Sequence, residues 1–215
     1  MSAAPALLDG AMDARAFAAL AGADAAQVAD LEAFRRLLED WNGRMNLVGA
    51  STLADFWSRH AWDSAQLLKL APDARTWADL GAGAGLPGVV LAILLKGRTD
   101  AKVHLIESMA KRCRFLAEVA AALSLPVEVH NRRAEELKLT VDVVTARACA
   151  PLSRLLRFAQ PYMARGAKAL FLKGQDAEAE IKDARRAWRF DVDVIPSLSD
   201  PRGRILKVER LARGP

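Results

Sequence analysis

The sequence predicts an α/β protein: a largely parallel sheet with an antiparallel hairpin at its C-terminal edge, preceded by a helical segment. Three observations carry this. From about residue 75 to 188, short extended stretches alternate with helix-length spans, the pattern of right-handed βαβ crossovers. A glycine-rich turn, Gly81-Ala82-Gly83-Ala84-Gly85, separates the first such strand from the first such helix. Before Pro72, by contrast, the apolar residues recur only at helical spacing.

In chain order, Val28, Leu31, Phe34, Leu38 and Trp41 recur at steps of three and four, the stripe of an amphipathic helix over Asp24–Trp41. Asn42-Gly43 is placed to end it, because both residues accept a left-handed cap. A second helix is expected from Ser51 as N-cap to about Leu70, stopping before Pro72. Residues 1–72 thus read as a helical cap and 73–215 as the sheet domain. The strands expected there are Arg75–Leu80, Lys102–Glu107, Val127–His130, Val141–Thr145 and Ala167–Lys173. The helices between them are Pro87–Lys96, Met109–Leu123, a short one at Ala134–Leu137, Leu152–Met163 and a charged one over Asp176–Trp188. Phe190–Ile195 and Arg204–Leu211 then form the closing hairpin.

Composition narrows the function. With 215 residues, 52% hydrophobic and 27% charged, the chain reads as one soluble globular protein with at most a small appendage. The longest apolar run, Val89–Leu95, is too short to cross a membrane. The N-terminus has no basic residue before Arg15, so neither a signal nor a transit peptide is expected, and the cytoplasm is the default location. Cys113 and Cys149 suggest packing residues rather than a disulfide framework. Three histidines, His60, His104 and His130, never fall at i, i+3 or i, i+4, so no metal site is expected. The net charge of +5 is uneven: residues 1–75 carry −3 and residues 76–215 carry +8. That balance suits a polyanion, whose neutralisation releases counterions, although any single cluster could simply solvate a helix face.

The decisive segment is Asp79-Leu80-Gly81-Ala82-Gly83-Ala84-Gly85-Leu86-Pro87-Gly88. Glycines let a ligand approach backbone where a Cβ would collide, and the next helix offers free N–H groups. Read from Gly83, the segment satisfies G-x-G-x-x-G, with Glu107 about twenty residues onward, which leaves a nicotinamide dinucleotide open. A pyrophosphate would meet repulsion from Asp79 at the strand end. S-adenosylmethionine would instead offer Asp79 a cationic amino group and Glu107 a ribose diol.

The loop is followed by Leu105-Ile-Glu-Ser108, Lys111-Arg112-x-x-Phe115-Leu116, Arg133-Ala-Glu-Glu136, Asp142-Val-Val-Thr-Ala-Arg-Ala148 and Leu172-Lys-Gly174. With Trp41-Asn42-x-x-Met45-Asn46-Leu47 and Arg59-His60-x-x-Asp63-Ser64 ahead of it, the chain from about Phe34 to Lys207 resembles the 16S ribosomal RNA guanine-N7 methyltransferase family, also called glucose-inhibited division protein B. One departure is Glu107, where the family more often has Asp. The resemblance implies a Rossmann-like class I methyltransferase sheet and S-adenosyl-L-methionine as cofactor. It implies as substrate a guanine N7 in the decoding-region loop of 16S ribosomal RNA, either as free RNA or within the 30S subunit. It also implies cofactor contacts at Gly81 and Leu86, at Ala134 and Glu135 beside the adenine, and at Arg147. Asp79, Gly83, Gly85 and Glu107 complete the expected cofactor set. For Glu135, a carboxylate favoured by a helix dipole is the plainer alternative; for Arg147, it is a structural salt bridge.

Guanine N7 already carries an in-plane lone pair, so methylation there needs positioning and no general base or Cys, Ser or His nucleophile. Arg112, Lys173 and Arg204 are the expected RNA contacts, with solvated surface side chains as the alternative. Asn42, Asn46, His60 and Asp63 suggest a cap over the cofactor mouth, with His60 and Asp63 close enough in sequence to pair. The five tryptophans are assigned to core or domain seam. A monomer is expected. The competing functions are an NAD-dependent oxidoreductase and a non-catalytic RNA-binding protein on the same fold.

Overall fold

The computed structural model describes residues 12–214; the reading of the first eleven residues lies outside them. Helix α1 (Ala14–Ala21), not anticipated from the sequence, is capped by the Asp13 carboxylate accepting from the Ala16 N–H. Helix α2 (Ala25–Met45) opens with a capping box between Asp24 and Gln27. It runs past Asn42-Gly43, where an end was expected, because Asn46 takes the left-handed cap (φ 48°) and donates its N–H to the Asn42 carbonyl. The Asn42 side chain serves the next segment instead, accepting from the Val48 N–H at 2.9 Å.

The helix expected over Ser51–Leu70 is three pieces: α3 (Ala50–Leu53), a π-helical segment (Phe56–Trp62) and α4 (Asp63–Leu70). Ser51 lies inside the first turn and Gly49 is the N-cap. The wider π turn brings Phe56, His60 and Trp62 inward together.

Strands β1 (Thr76–Leu80), β2 (Lys102–Glu107), β3 (Val127–Asn131), β4 (Val143–Arg147) and β5 (Lys168–Lys173) pair in parallel. Strands β6 (Trp188–Pro196) and β7 (Arg204–Arg213) form the closing antiparallel hairpin and complete a seven-stranded sheet of order β3-β2-β1-β4-β5-β7-β6, with β7 also antiparallel to β5. Helices α5 (Gly88–Leu95) and α6 (Ala110–Ala122) cover one face with the cap; α7 (Leu152–Met163) and α8 (Ala177–Ala184) cover the other. The charged helix stops at Ala184 rather than Trp188, because Trp188 is buried as the first residue of β6 and donates its indole N–H to the Ser153 carbonyl.

Strand side chains alternate between two cores, Trp77, Val103 and Leu105 facing one and Ala78, Leu80 and Ile106 the other. Every residue of α5 is buried, since the helix lies between the sheet and the cap helices α2 and α4. Phe17, Leu31, Phe34, Leu38 and Leu67 therefore share one apolar core with Leu91 and Leu95. No helix among the described residues is long and apolar enough to cross a membrane.

Candidate active site

Strand β1 pairs with both β2 and β4, so the connections after β1 and β4 diverge over opposite faces. At such a switch point an open parallel sheet forms a crevice beyond the carboxyl ends of its strands. The glycine loop after β1 and Ala148-Cys149 after β4 line that crevice. Gly81 holds φ +73°, and a Cβ there would collide with the Cys149 sulfur. Cys149 is exposed rather than the packing residue expected; Cys113 is buried, its thiol donating to the Glu107 carbonyl.

Two cavities result, meeting at Gly81, Arg112 and Ala148. The larger, about 530 Å³, lies between the loop, the cap, the ends of β4 and β5 and the β6–β7 connection. The smaller, about 270 Å³, is bounded by Glu107, Ser108, Met109, Arg133, Ala134, Glu135 and Phe158. Of the expected cofactor residues, Gly83, Leu86 and Arg147 line the larger cavity, Glu107, Ala134 and Glu135 the smaller, and Gly81 both. Asp79 and Gly85 line neither.

Asp79 sits beneath the loop, fully buried, and accepts the Gly88 N–H at 2.9 Å through Oδ2. Its Oδ1 has no partner among the described residues, and burial raises its pKa to about 7 against that hydrogen bond and the Arg147 charge. The residue visibly anchors the loop to the sheet; it does not stand at the mouth as an open carboxylate. Glu107, 4% exposed, accepts the Gly83 N–H at 3.1 Å through Oε2 and the Met109 N–H at 2.8 Å through Oε1. Arg112 stands 3.8 Å from Oε2, where both cavities can reach it. The Ala134 carbonyl is held by the Tyr162 hydroxyl at 2.8 Å.

Arg147 leaves β4 into the cap. It donates to the Arg59 carbonyl at 2.9 Å, to Asp63 Oδ2 at 3.3 Å and to His60 Nδ1 at 3.1 Å. His60 and Asp63 thus meet through Arg147 rather than pairing with each other. A guanidinium only donates, so Nδ1 of His60 must be unprotonated and Nε2 carries the proton toward Thr52 Oγ1 at 3.1 Å. Burial first, then Arg147 and Arg59, lower the His60 pKa to about 3. Asp63 also accepts from the Ser199 hydroxyl at 2.6 Å, and Gln66 both accepts from the Leu198 N–H and donates to Ser197. The cap is thereby fastened to the β6–β7 connection.

Of the expected RNA contacts, Lys173 is not a solvated side chain: it is 10% exposed and paired with Glu180 at 2.7 Å. Arg204 faces the larger cavity with, among the described residues, only the Pro201 and Gly203 carbonyls as partners. Sequence reasoning missed Thr52, Ser197 and Ser199 in the larger cavity and Arg154 and Phe158 in the smaller. Ala148, at φ +49°, was also missed; its place just past a central strand's carboxyl end was the available signal.

A family model described as rRNA small subunit methyltransferase G matches residues 27–205. The chain belongs to that rRNA small subunit methyltransferase G family. A protein named ribosomal RNA small subunit methyltransferase G from Caulobacter vibrioides is 64% identical over 202 residues, covering 94% of each chain. A protein of the same name from Methylorubrum populi is 46% identical, covering 88% of this chain and 90% of that one. Solved structures share the fold. Magnesium protoporphyrin IX methyltransferase from Synechocystis, crystallised with bound S-adenosylmethionine, matches with a TM-score of 0.56 at 13% identity over 82% of this chain and 97% of its own. An S-adenosylmethionine-dependent methyltransferase from Aquifex aeolicus matches with a TM-score of 0.52 at 18% identity over 78% of this chain and 95% of its own. This member of the G family is a methyltransferase on the class I S-adenosylmethionine-dependent fold, which resolves the glycine-loop ambiguity against a dinucleotide oxidoreductase. Its residues fit the cofactor: the tight loop excludes Cβ atoms, and a buried carboxylate at the end of β2 faces the smaller cavity.

Proposed function

We propose that this protein transfers the methyl group of S-adenosylmethionine to N7 of a guanine in the decoding-region loop of 16S ribosomal RNA, acting on the 30S subunit in the cytoplasm. The observation that carries this reading is the pair of cavities joined at Gly81 and Arg112, one ending on Glu107 and the other opening on cationic side chains. In the smaller cavity Glu107 would accept the ribose hydroxyls, and Ala134-Glu135 would border the adenine. The methionine part would pass Gly81 toward the larger cavity, where the target base enters.

When bound, the cofactor supplies an electrophilic methyl on a cationic sulfur. The protein's share is placement. The narrow loop fixes the cofactor's approach, and the cap closes one wall against water, which favours a near-attack arrangement. Donors such as Arg204 and Arg112 suit the guanine O6 and the backbone phosphates, while a donor aimed at N7 would occupy the lone pair the reaction needs. Arg132, Arg133 and Arg154 line the smaller cavity and carry no ion pair among the described residues, so they remain available to phosphate.

The test is incubation of labelled S-adenosylmethionine with 30S subunits from cells lacking the protein, followed by mapping of the modified base. The expected product is 7-methylguanine in 16S RNA. Label at another atom, or on another RNA, overturns the proposal.

A further inference from the structure

The sheet edge holds a side-chain cluster that methyl transfer does not use. His104 on β2 and His130 on β3 project from the same face of neighbouring parallel strands, with Glu128 paired opposite His104. His104 Nδ1 lies 3.0 Å from His130 Nε2, and each of these nitrogens lies 3.7 Å from an oxygen of Glu128. We propose that His104, His130 and Glu128 form a binding site for a zinc-class divalent cation.

The spacing suits a shared ion. Ligand bonds of about 2.0–2.2 Å in tetrahedral geometry set donor atoms roughly 3.3 Å apart; the two nitrogens are 3.0 Å apart, and each has a different Glu128 oxygen at 3.7 Å, so a turn of the exposed carboxylate would bring one oxygen to both. Strands can bring histidines together at a sequence distance that helical spacing rules do not cover, so their absence from i, i+3 and i, i+4 positions is no obstacle. Imidazole binds a metal in its neutral form, the form an ordinary histidine mostly holds at pH 7. One ring now donates its N–H to the other; at the rings, binding needs a tautomer shift that moves that proton to the ring's other nitrogen, with none released. Two imidazoles and one carboxylate favour zinc, nickel or copper over the oxygen-seeking magnesium and calcium. His130 and Glu128 are open enough to admit the ion, with water as a fourth ligand. Lys102 Nζ, 2.5 Å from Glu128, competes for the carboxylate. An ion there would clamp β2 to β3 just below Asn131, whose side chain holds the Glu107 and Ser108 carbonyls.

The chain's three histidines make imidazole nitrogen NMR a direct assay. Titrating the untagged protein with zinc chloride should shift His104 and His130 and leave His60, enclosed by Arg147 and Thr52, in place. By calorimetry, His130→Ala should weaken zinc binding at least tenfold. Lys102→Met, an exposed change that leaves the fold intact, should tighten it severalfold. Zinc should raise the melting temperature of the parent protein and not of His130→Ala. Shifts at His60 instead, zinc affinity unchanged in His130→Ala or Lys102→Met, or equal shifts with magnesium chloride would each overturn the proposal.

Discussion

Asp79 offers one oxygen to a backbone N–H and, among the described residues, leaves the other without a partner in a fully buried site. Its pKa of about 7, above the ordinary 3.8, means the folded protein holds a proton there that the unfolded chain has released. Stability from this group is therefore present below pH 3.8 and falls as pH rises toward about 7, by roughly 1.4 kcal/mol per pH unit in that window. Asp79→Asn keeps the acceptor for Gly88 and removes the titration. Denaturant unfolding of the ligand-free protein should show the parent declining relative to the variant over that window; parallel curves would mean Asp79 does not titrate there. Arg147 is tested differently. Arg147→Ala removes a donor and a charge from His60, so the His60 pKa should climb from about 3 toward 6.5, read by NMR. The same variant should weaken S-adenosylmethionine binding by calorimetry, and unchanged affinity would leave Arg147 with only its role in fastening the cap.

The loop and the helix after it act as one element. A Cβ on Gly88 would meet Asp79 Oδ2 at 2.7 Å and the Leu105 side chain, all of them buried. Gly88→Ala should therefore destabilise the protein by about 1–3 kcal/mol and displace the loop, measurable as lost stability together with lost cofactor affinity. Leu91→Ala in α5, fully buried between sheet and cap, should cost about 2–5 kcal/mol in denaturant unfolding. At this scale much was legible in the sequence. Strand β2 and helix α7 match their expected bounds, because alternation and apolar periodicity depend on near neighbours alone. The cap was less legible: α1 is short, and the π turn at Phe56–Trp62 follows from packing against distant chain. Gly81, Glu107 and Ala134 could be picked out by motif. Arg147 in the hands of His60 and Asp63, and His104 beside His130, depend on register and on the cap's docking, which no local pattern encodes.

As a whole molecule, the protein does not divide cleanly at residue 72, since the cap and α5 bury a common apolar surface. A chain of residues 73–215 alone should expose Leu91, Leu95 and their neighbours and aggregate; a soluble, monomeric fragment that still unfolds cooperatively would show the cap to be an independent addition. Charge acts at the same scale. RNA affinity should fall steeply with salt, and Arg204→Ala should lower the slope of log K against log salt by about one unit. Lys173→Ala should leave the slope unchanged, because Glu180 already neutralises that charge. The fastening of Asp63 and Gln66 to residues 197–199 has a consequence for folding. Strand β7 is threaded between β5 and β6, so the cap's polar latch to the β6–β7 connection can close only after β7 has paired, late among the contacts because it joins segments far apart in the chain. Until then the cap is held to the sheet by the apolar surface it shares with α5 and by Arg147, without the polar latch.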